Sequence, residues 1–174
     1  MKLINPTGHK HLKVQDKEVL EIQLEDFEAG SRDFELTVEL MGKNAECHIS
    51  GRAQTHNKDR KSWQVKQIFR GQDQVGSIDL RGTAENQSFL AFDGAANLAH
   101  ESVDAEANIE EKIILFDKAK GRSLPVLRVE TDKVKSASHG ASIAPVSGEK
   151  LLYLESRGVN RKAAEEILKV GFLK

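Results

Sequence analysis

A single cysteine, Cys47, stands in a chain of 174 residues. One thiol cannot close an internal disulfide, so a reducing cytoplasm is the simplest home for this sequence. Aromatic residues are scarce as well, at 5% with one tryptophan and one tyrosine. That scarcity argues against a stacking platform for bases or sugars. An excess of one charge is also missing: 26 Lys and Arg face 27 Asp and Glu, for a formal net charge of −1. Nucleic acid and anionic membrane are therefore poor partners. No apolar run approaches the ~20 residues that span a bilayer, and the N-terminus lacks the apolar core of a secretion signal. Neither G-x-x-x-x-G-K-[ST] nor G-x-G-x-x-G occurs, so the chain is not expected to hydrolyse ATP itself. G-x-S-x-G, H-E-x-x-H and paired C-x-x-C are missing too, and with them any signal of a hydrolase or structural zinc site.

What is present is alternation. Leu20, Ile22 and Leu24 alternate with Glu21, Gln23 and Glu25, and Phe34, Leu36, Val38 and Leu40 with Glu35, Thr37 and Glu39. Cys47, Ile49, Gly51 and Ala53 continue the pattern, as do Trp63 with Val65, Ile78 with Leu80, and Ile114 with Phe116. A period of two puts one set of side chains inward and the other outward. With 39% hydrophobic and 30% charged residues, a packed core is within reach and the length fits one domain. Gly30, Gly42, Gly71, Gly82, Gly94 and Gly121 punctuate the runs, as turns require. About nine strands without a helical crossover predict an all-β body. The pattern alone leaves a sandwich and a parallel solenoid both open. No strict repeat length is visible, which weighs against a regular solenoid.

After Pro145 the grammar turns helical. Ser147 is a candidate N-cap for a helix starting near Gly148, with Gly158 at its exit, and Asn160 caps a second helix. Ala163, Ala164, Ile167, Leu168 and Gly171 form its apolar stripe, with Glu165 and Lys169 an i,i+4 pair on the other face. Helices this short do not persist alone, so they must dock on the β body or on a partner. The predicted division is a β scaffold over residues 1–145, whose first 15 residues form an irregular arm, and a helical appendage over 146–174.

Residues 125–172 carry a resemblance. Pro125-Val126-Leu127-Arg128-Val129, then Ser138-His139-Gly140-Ala141-Ser142, then Leu152-Tyr153-Leu154-Glu155-Ser156-Arg157-Gly158-Val159 and a closing Gly171-Phe172 resemble the C-terminal end of the SufB/SufD family of iron–sulfur cluster assembly scaffolds. Upstream, Phe34 through Gly42, Ala45-Glu46-Cys47, Phe69-Arg70-Gly71 and Leu115-Phe116-Asp117-Lys118-Ala119 are similar to that family's core. The resemblance implies a right-handed parallel β-helix whose coils bury a face by stacking on their neighbours. Gly51, Ala53 and Ala91 would suit its narrow interior. It also implies a scaffold, not an enzyme by itself, that works with a SufC-like ATPase and a SufB-like second scaffold.

Within the family, the SufB-like branch carries acidic residues on both sides of the histidine and a cysteine after its Asp-Lys pair. Here the flanks are Ser138 and Gly140, and Ala119 follows Asp117-Lys118, which places the chain nearer SufD. His139 then matches the residue implicated in cluster assembly, as a ligand to a transient iron–sulfur cluster or as a proton-handling group. Clusters are held chiefly by several thiolates, so one thiol does not hold a cluster unaided. Tyr153, Arg157, Ile167 and Phe172 are large side chains of the kind that anchor interfaces, in the region that engages the ATPase. A sheet edge at the end of the stack invites pairing with another copy, which makes a two-fold homodimer the expectation when no partner is present.

Other candidates read more plainly. Cys47 alternates with Ile49 and is expected inward and inert. His9 and His11 would share a face only on a strand, and Pro6-Thr7-Gly8 points to a solvated arm. His56 reads as part of a polar loop, and His100 sits within reach of a carboxylate. Two alternatives remain: a structural solenoid that binds partners without building a cluster, and a cupin-like or solenoid enzyme. The latter requires a pocket lined by several histidines and carboxylates away from His139.

Overall fold

A computed structural model describes residues 1–174. The elements are β1 (Lys2–Ile4), β2 (Gly8–Val14), β3 (Val19–Asp26), β4 (Arg32–Leu40), β5 (Glu46–Thr55), β6 (Arg60–Phe69), β7 (Val75–Ala84), β8 (Phe89–Leu98), β9 (Ala105–Leu115), β10 (Lys120–Ser123), β11 (Val126–Val129), β12 (Val134–Pro145), α1 (Gly148–Ser156) and α2 (Arg161–Leu173). One six-stranded sheet runs in the order β1-β3-β5-β7-β9-β12; the facing six-stranded sheet runs β10-β8-β6-β4-β2, with β11 also paired to β8. Every pairing is parallel. The chain therefore climbs from one sheet to the other at each corner and returns one rung higher, which is a flattened parallel β-helix. β10 and β11 both pair with β8 and together make one interrupted rung, broken around Leu124-Pro125.

The alternation read from the sequence is what fills the interior, except in β9, where Ile113 lies in the core and Ile114 is only partly buried. Phe34, Trp63 and Phe92 stack across β4, β6 and β8, with Trp63 edge-on to Phe34 at 5.9 Å and tilted against Phe92 at 5.6 Å. Opposite them Gly51 faces inward, where an added Cβ would lie 2.6 Å from Leu80 and 2.8 Å from Trp63. Glycine there makes room for the indole. Ala53 is buried in the same core, whereas Ala91, between inward Leu90 and Phe92, faces the other way.

The corners differ from the glycine turns expected. Lys17, Asn44, Asp73 and Asp104 on one side, and Asn57, Asn86 and Asp117 on the other, hold positive φ between 54° and 61°. Asn and Asp tolerate this left-handed conformation better than other side chains. Their backbones bond rung to rung: Asn44 N donates to Gln72 O at 2.9 Å, and Gln87 N to Asn57 O at 2.9 Å. Gly82, Gly94 and Gly121 instead lie inside β7, β8 and β10. Corner spacing from 17 to 44, 73 and 104 is 27, 29 and 31 residues. The repeat exists but lengthens along the chain, so no fixed period is visible in the sequence.

The N-terminal arm is not irregular. Gly8–Val14 is a seven-residue strand in register with β4, and Lys2–Ile4 pairs with β3. Ile4 and Val14 are buried in the main core, which is what draws the arm into the stack. The helices follow the expected caps: the Ser147 hydroxyl accepts from Lys150 N at 3.3 Å and the Asn160 carbonyl from Ala163 N at 3.0 Å. No helix is long and apolar enough to cross a membrane.

Candidate functional site

β12 is the last rung of its sheet and is bonded on one edge only, to β9. Beyond a shift between Val134 and Ser136, the register is regular, and His139 pairs with Ile109. Ile109 points into the core. Ala137, His139, Ala141 and Ile143 thus share the inner face of the terminal rung, opposite buried Ala107, Ile109, Glu111 and Ile113. No further rung covers them, so the His139 side chain is exposed at the open mouth of the β-helix. Gly140 keeps an ordinary strand backbone, and an added Cβ there would meet nothing within 4 Å. The fold does not need a glycine at this position.

The donor set around this mouth is sparse. No group of three or more His, Cys, Asp or Glu side chains is arranged to hold a metal ion anywhere in the chain. Cys47 is fully buried, and burial raises its thiol to about 11 despite a lowering contact from Gln67. It cannot serve as a surface ligand. Ala119, after the Asp-Lys pair, is buried at the margin of the core. His139 stands on this rim without a thiol or carboxylate cluster.

Just below the mouth is a buried acid that sequence reasoning did not single out. Glu111 faces inward from β9 and occupies the space opposite Gly94, accepting from Gly94 N at 2.5 Å and from Ser123 Oγ at 2.5 Å. It plugs the break between β10 and β11. Burial pushes its carboxyl above the ordinary range, and the bonds from Ser123 and Gly94 only partly offset this. Reading Ile114 and Phe116 as the inward residues of this run places Glu111 on the outer face, and its partners Gly94 and Ser123 are remote in sequence.

The second candidate region splits. Tyr153 on α1 is exposed, with the Arg157 guanidinium 5.4 Å from its ring. Ile167 is half exposed, while Phe172 is partly covered. Leu152 and Val170 are exposed too. The expected apolar stripe of α2 is covered only in part: Ala164 is buried and Ala163 and Leu168 are partly covered, whereas Ile167 and Gly171 are exposed and Lys169 is buried beside them. Glu165 bonds Arg161 at 2.9 Å, and Lys169 turns to Glu166 and to Glu85 on the β-helix.

The remaining five histidines each meet partners of their own: His48 lies 2.9 Å from the Ser77 hydroxyl and 3.7 Å from Glu46. His9 and His11 do share the outward face of a strand, but each meets a different carboxylate, Glu35 and Glu39. His56 Nδ1 lies 2.6 Å from Glu85 Oε1, and His100 Nδ1 3.3 Å from the Glu130 carbonyl. A cavity of about 360 Å³ beside His9 is lined by one histidine and two carboxylates, Asp33 and Glu35.

A parallel β-helix with an exposed terminal rung and a helical appendage places the chain in the β-solenoid class. The family model for the SUF system FeS cluster assembly SufBD core domain matches residues 6–172, and the chain belongs to that family. It is 32% identical over 107 residues to the iron–sulfur cluster assembly protein SufD of Bacillus subtilis, covering 61% of this chain and 24% of that protein. It is 27% identical over 110 residues to an iron–sulfur cluster assembly SufBD family protein of Staphylococcus aureus, covering 63% of this chain and 23% of that one. The matched stretch is about a quarter of the length of these curated relatives.

Proposed function

We propose that this chain is a SufD-like scaffold component of a SUF-type iron–sulfur cluster assembly complex. Its free β12 edge pairs with a second scaffold chain, SufB-like or a second copy, and its helical appendage docks a SufC-like ATPase through Tyr153, Arg157, Ile167 and Phe172. The cluster is cargo at the shared junction and not a resident cofactor of this chain. ATP hydrolysis belongs to the partner, and this chain is not an enzyme by itself.

One observation carries the reading: His139 faces inward on the last rung and yet lies in water. A second β-sheet added at this edge would extend the β-helix and enclose the imidazole at the seam. There it acts as a ligand or handles a proton, and thiolates come from the other chain. The test is substitution of His139 by Ala in a complex reconstituted anaerobically with a SufC-like ATPase and a SufB-like scaffold. Cluster formation, followed by absorption and by iron and sulfide content, is expected to fall at least about tenfold while the complex stays assembled.

A structural role without cluster building is the second reading, and the lack of any metal-holding group in the chain favours it. Unchanged cluster formation with His139→Ala would decide for it. An independent cupin-like enzyme has less support, because the cavity at His9 brings together one histidine and no metal-holding set.

A further inference from the structure

The helical pair keeps Leu151 and Ala164 buried and Leu154, Leu168, Phe172 and Leu173 partly covered, but its hydrogen bonds to the β-helix are made by charged side chains, and four large apolar residues face outward. In α2 only Ala164 and Lys169 are buried, while Ile167 and Val170 are 49% and 53% exposed. In α1 Leu151 is buried, while Leu152 and Tyr153 are 65% and 60% exposed. Two polar clamps make up the seat. At the first, the Lys169 ammonium bonds Glu85 at the end of β7 and Glu166 on its own helix, and lies 5.1 Å from the Phe116 ring centre. Glu85 also meets His56. At the second, Arg52 Nε donates to Leu173 O at 3.0 Å and Arg81 Nη1 to Lys174 O at 3.4 Å. Asp79 accepts from both guanidiniums, at 3.0 Å from Arg52 Nη2 and 3.3 Å from Arg81 Nε. The two cations thus meet the carbonyl end of α2, where the helix dipole favours them.

Such a seat differs in kind from the interior of the β-helix. Apolar burial is insensitive to moderate salt, whereas these ion pairs, whose Glu85 and Asp79 carboxylates are partly exposed, are weakened by high salt. The pair is joined to β12 by Val146 and Ser147 alone; Val146 N still bonds the Leu115 carbonyl at 2.9 Å, which leaves the junction at Ser147 as the place for a pivot. We infer that the helical pair is a detachable module held by an ionic latch: α1 and α2 leave their seat together while the β-helix stays folded. Taken with the docking role proposed above, a partner gripping the outward apolar face moves the helices against the scaffold by opening this latch. Motion of an ATPase partner then reaches the β-helix through Glu85, Arg52 and Arg81. Local opening of this kind has a lower free energy than global unfolding and is read by amide exchange.

The experiment is hydrogen–deuterium exchange on the chain alone, which separates it from any ATPase binding measurement. Wild type, Lys169→Met and Glu85→Gln are compared at low salt and in about 1 M NaCl. Amides of 148–173 are expected to exchange ~10-fold faster in either variant and in high salt, with β5 and β7 unchanged. High salt should add little in Lys169→Met. Unaltered exchange in the helices overturns the proposal. So does loosening of helices and strands together, which would make the seat an integral part of the fold.

Discussion

Glu111 and Cys47 show how position on an alternating strand decides the chemistry a side chain keeps. Both point inward, and burial disfavours the charged form of each. Cys47 should not react with a bulky thiol reagent in native conditions and should react fully in denaturant; rapid native labelling would contradict its burial. Glu111 has a pH consequence. Its folded value lies above its ordinary one, so the native state holds the proton more tightly than the unfolded chain. Stability is then lost as pH rises from the ordinary carboxylate value through the folded one. Glu111→Gln preserves an acceptor for Gly94 and supplies a donor toward Ser123. Urea unfolding across weakly acidic to neutral pH should show a flatter slope and no loss of stability at neutral pH. An unchanged slope would mean that the carboxyl titrates normally. Cys47 was legible because its neighbours alternate; Glu111 was not, because its partners, Gly94 and Ser123, are remote in sequence and are brought to it only by the stacking of rungs.

At the scale of elements, the buried pair Lys61–Asp26 ties β6 to the end of β3. Lys61 Nζ donates to Asp26 Oδ1 at 2.7 Å and to the Glu28 carbonyl at 2.7 Å, with both side chains buried. Burial pulls the lysine down, and Asp26 only partly restores it. Lys61→Met leaves the buried aspartate with only the longer Arg32 contact, at 3.6 Å, and should destabilise the chain by about 2–4 kcal/mol. The double variant Lys61→Met, Asp26→Asn should recover much of that loss in the same denaturation assay, since a lone buried charge is the costly species. A buried lysine breaks the inward apolar pattern, so the sequence gives no local reason for it. The helix caps were readable because Ser147 and Asn160 act within three residues. The inner face of α2 was readable only in part: Ala164 of the apolar stripe is buried, but the charged seat at Glu85 turns Lys169 inward as well. Likewise Pro6 and Gly8 hid β2, whose pairing with β4 is set by a partner 26 residues on.

For the whole molecule, parallel stacking leaves two unequal ends. At one end β1 is three residues long and β2 carries Lys10 and Lys13, features that blunt an edge. At the other, β12 runs for 12 residues, with Ser, Ala, Gly and one histidine along its middle and little charge. The β-helix itself followed from the family resemblance more than from periodicity, because coil lengths drift while corner residues keep their left-handed backbone. The role of β12 is the central claim, and the buried thiol makes it directly testable. Single cysteines introduced in turn at residues 136–143 would be the only accessible thiols, and Leu3→Cys, at the opposite end, serves as control. Disulfide trapping in the chain alone and with a SufB-like scaffold should give cross-links within 136–143 and none at residue 3. Cross-linking at residue 3 with none along β12 would contradict the account.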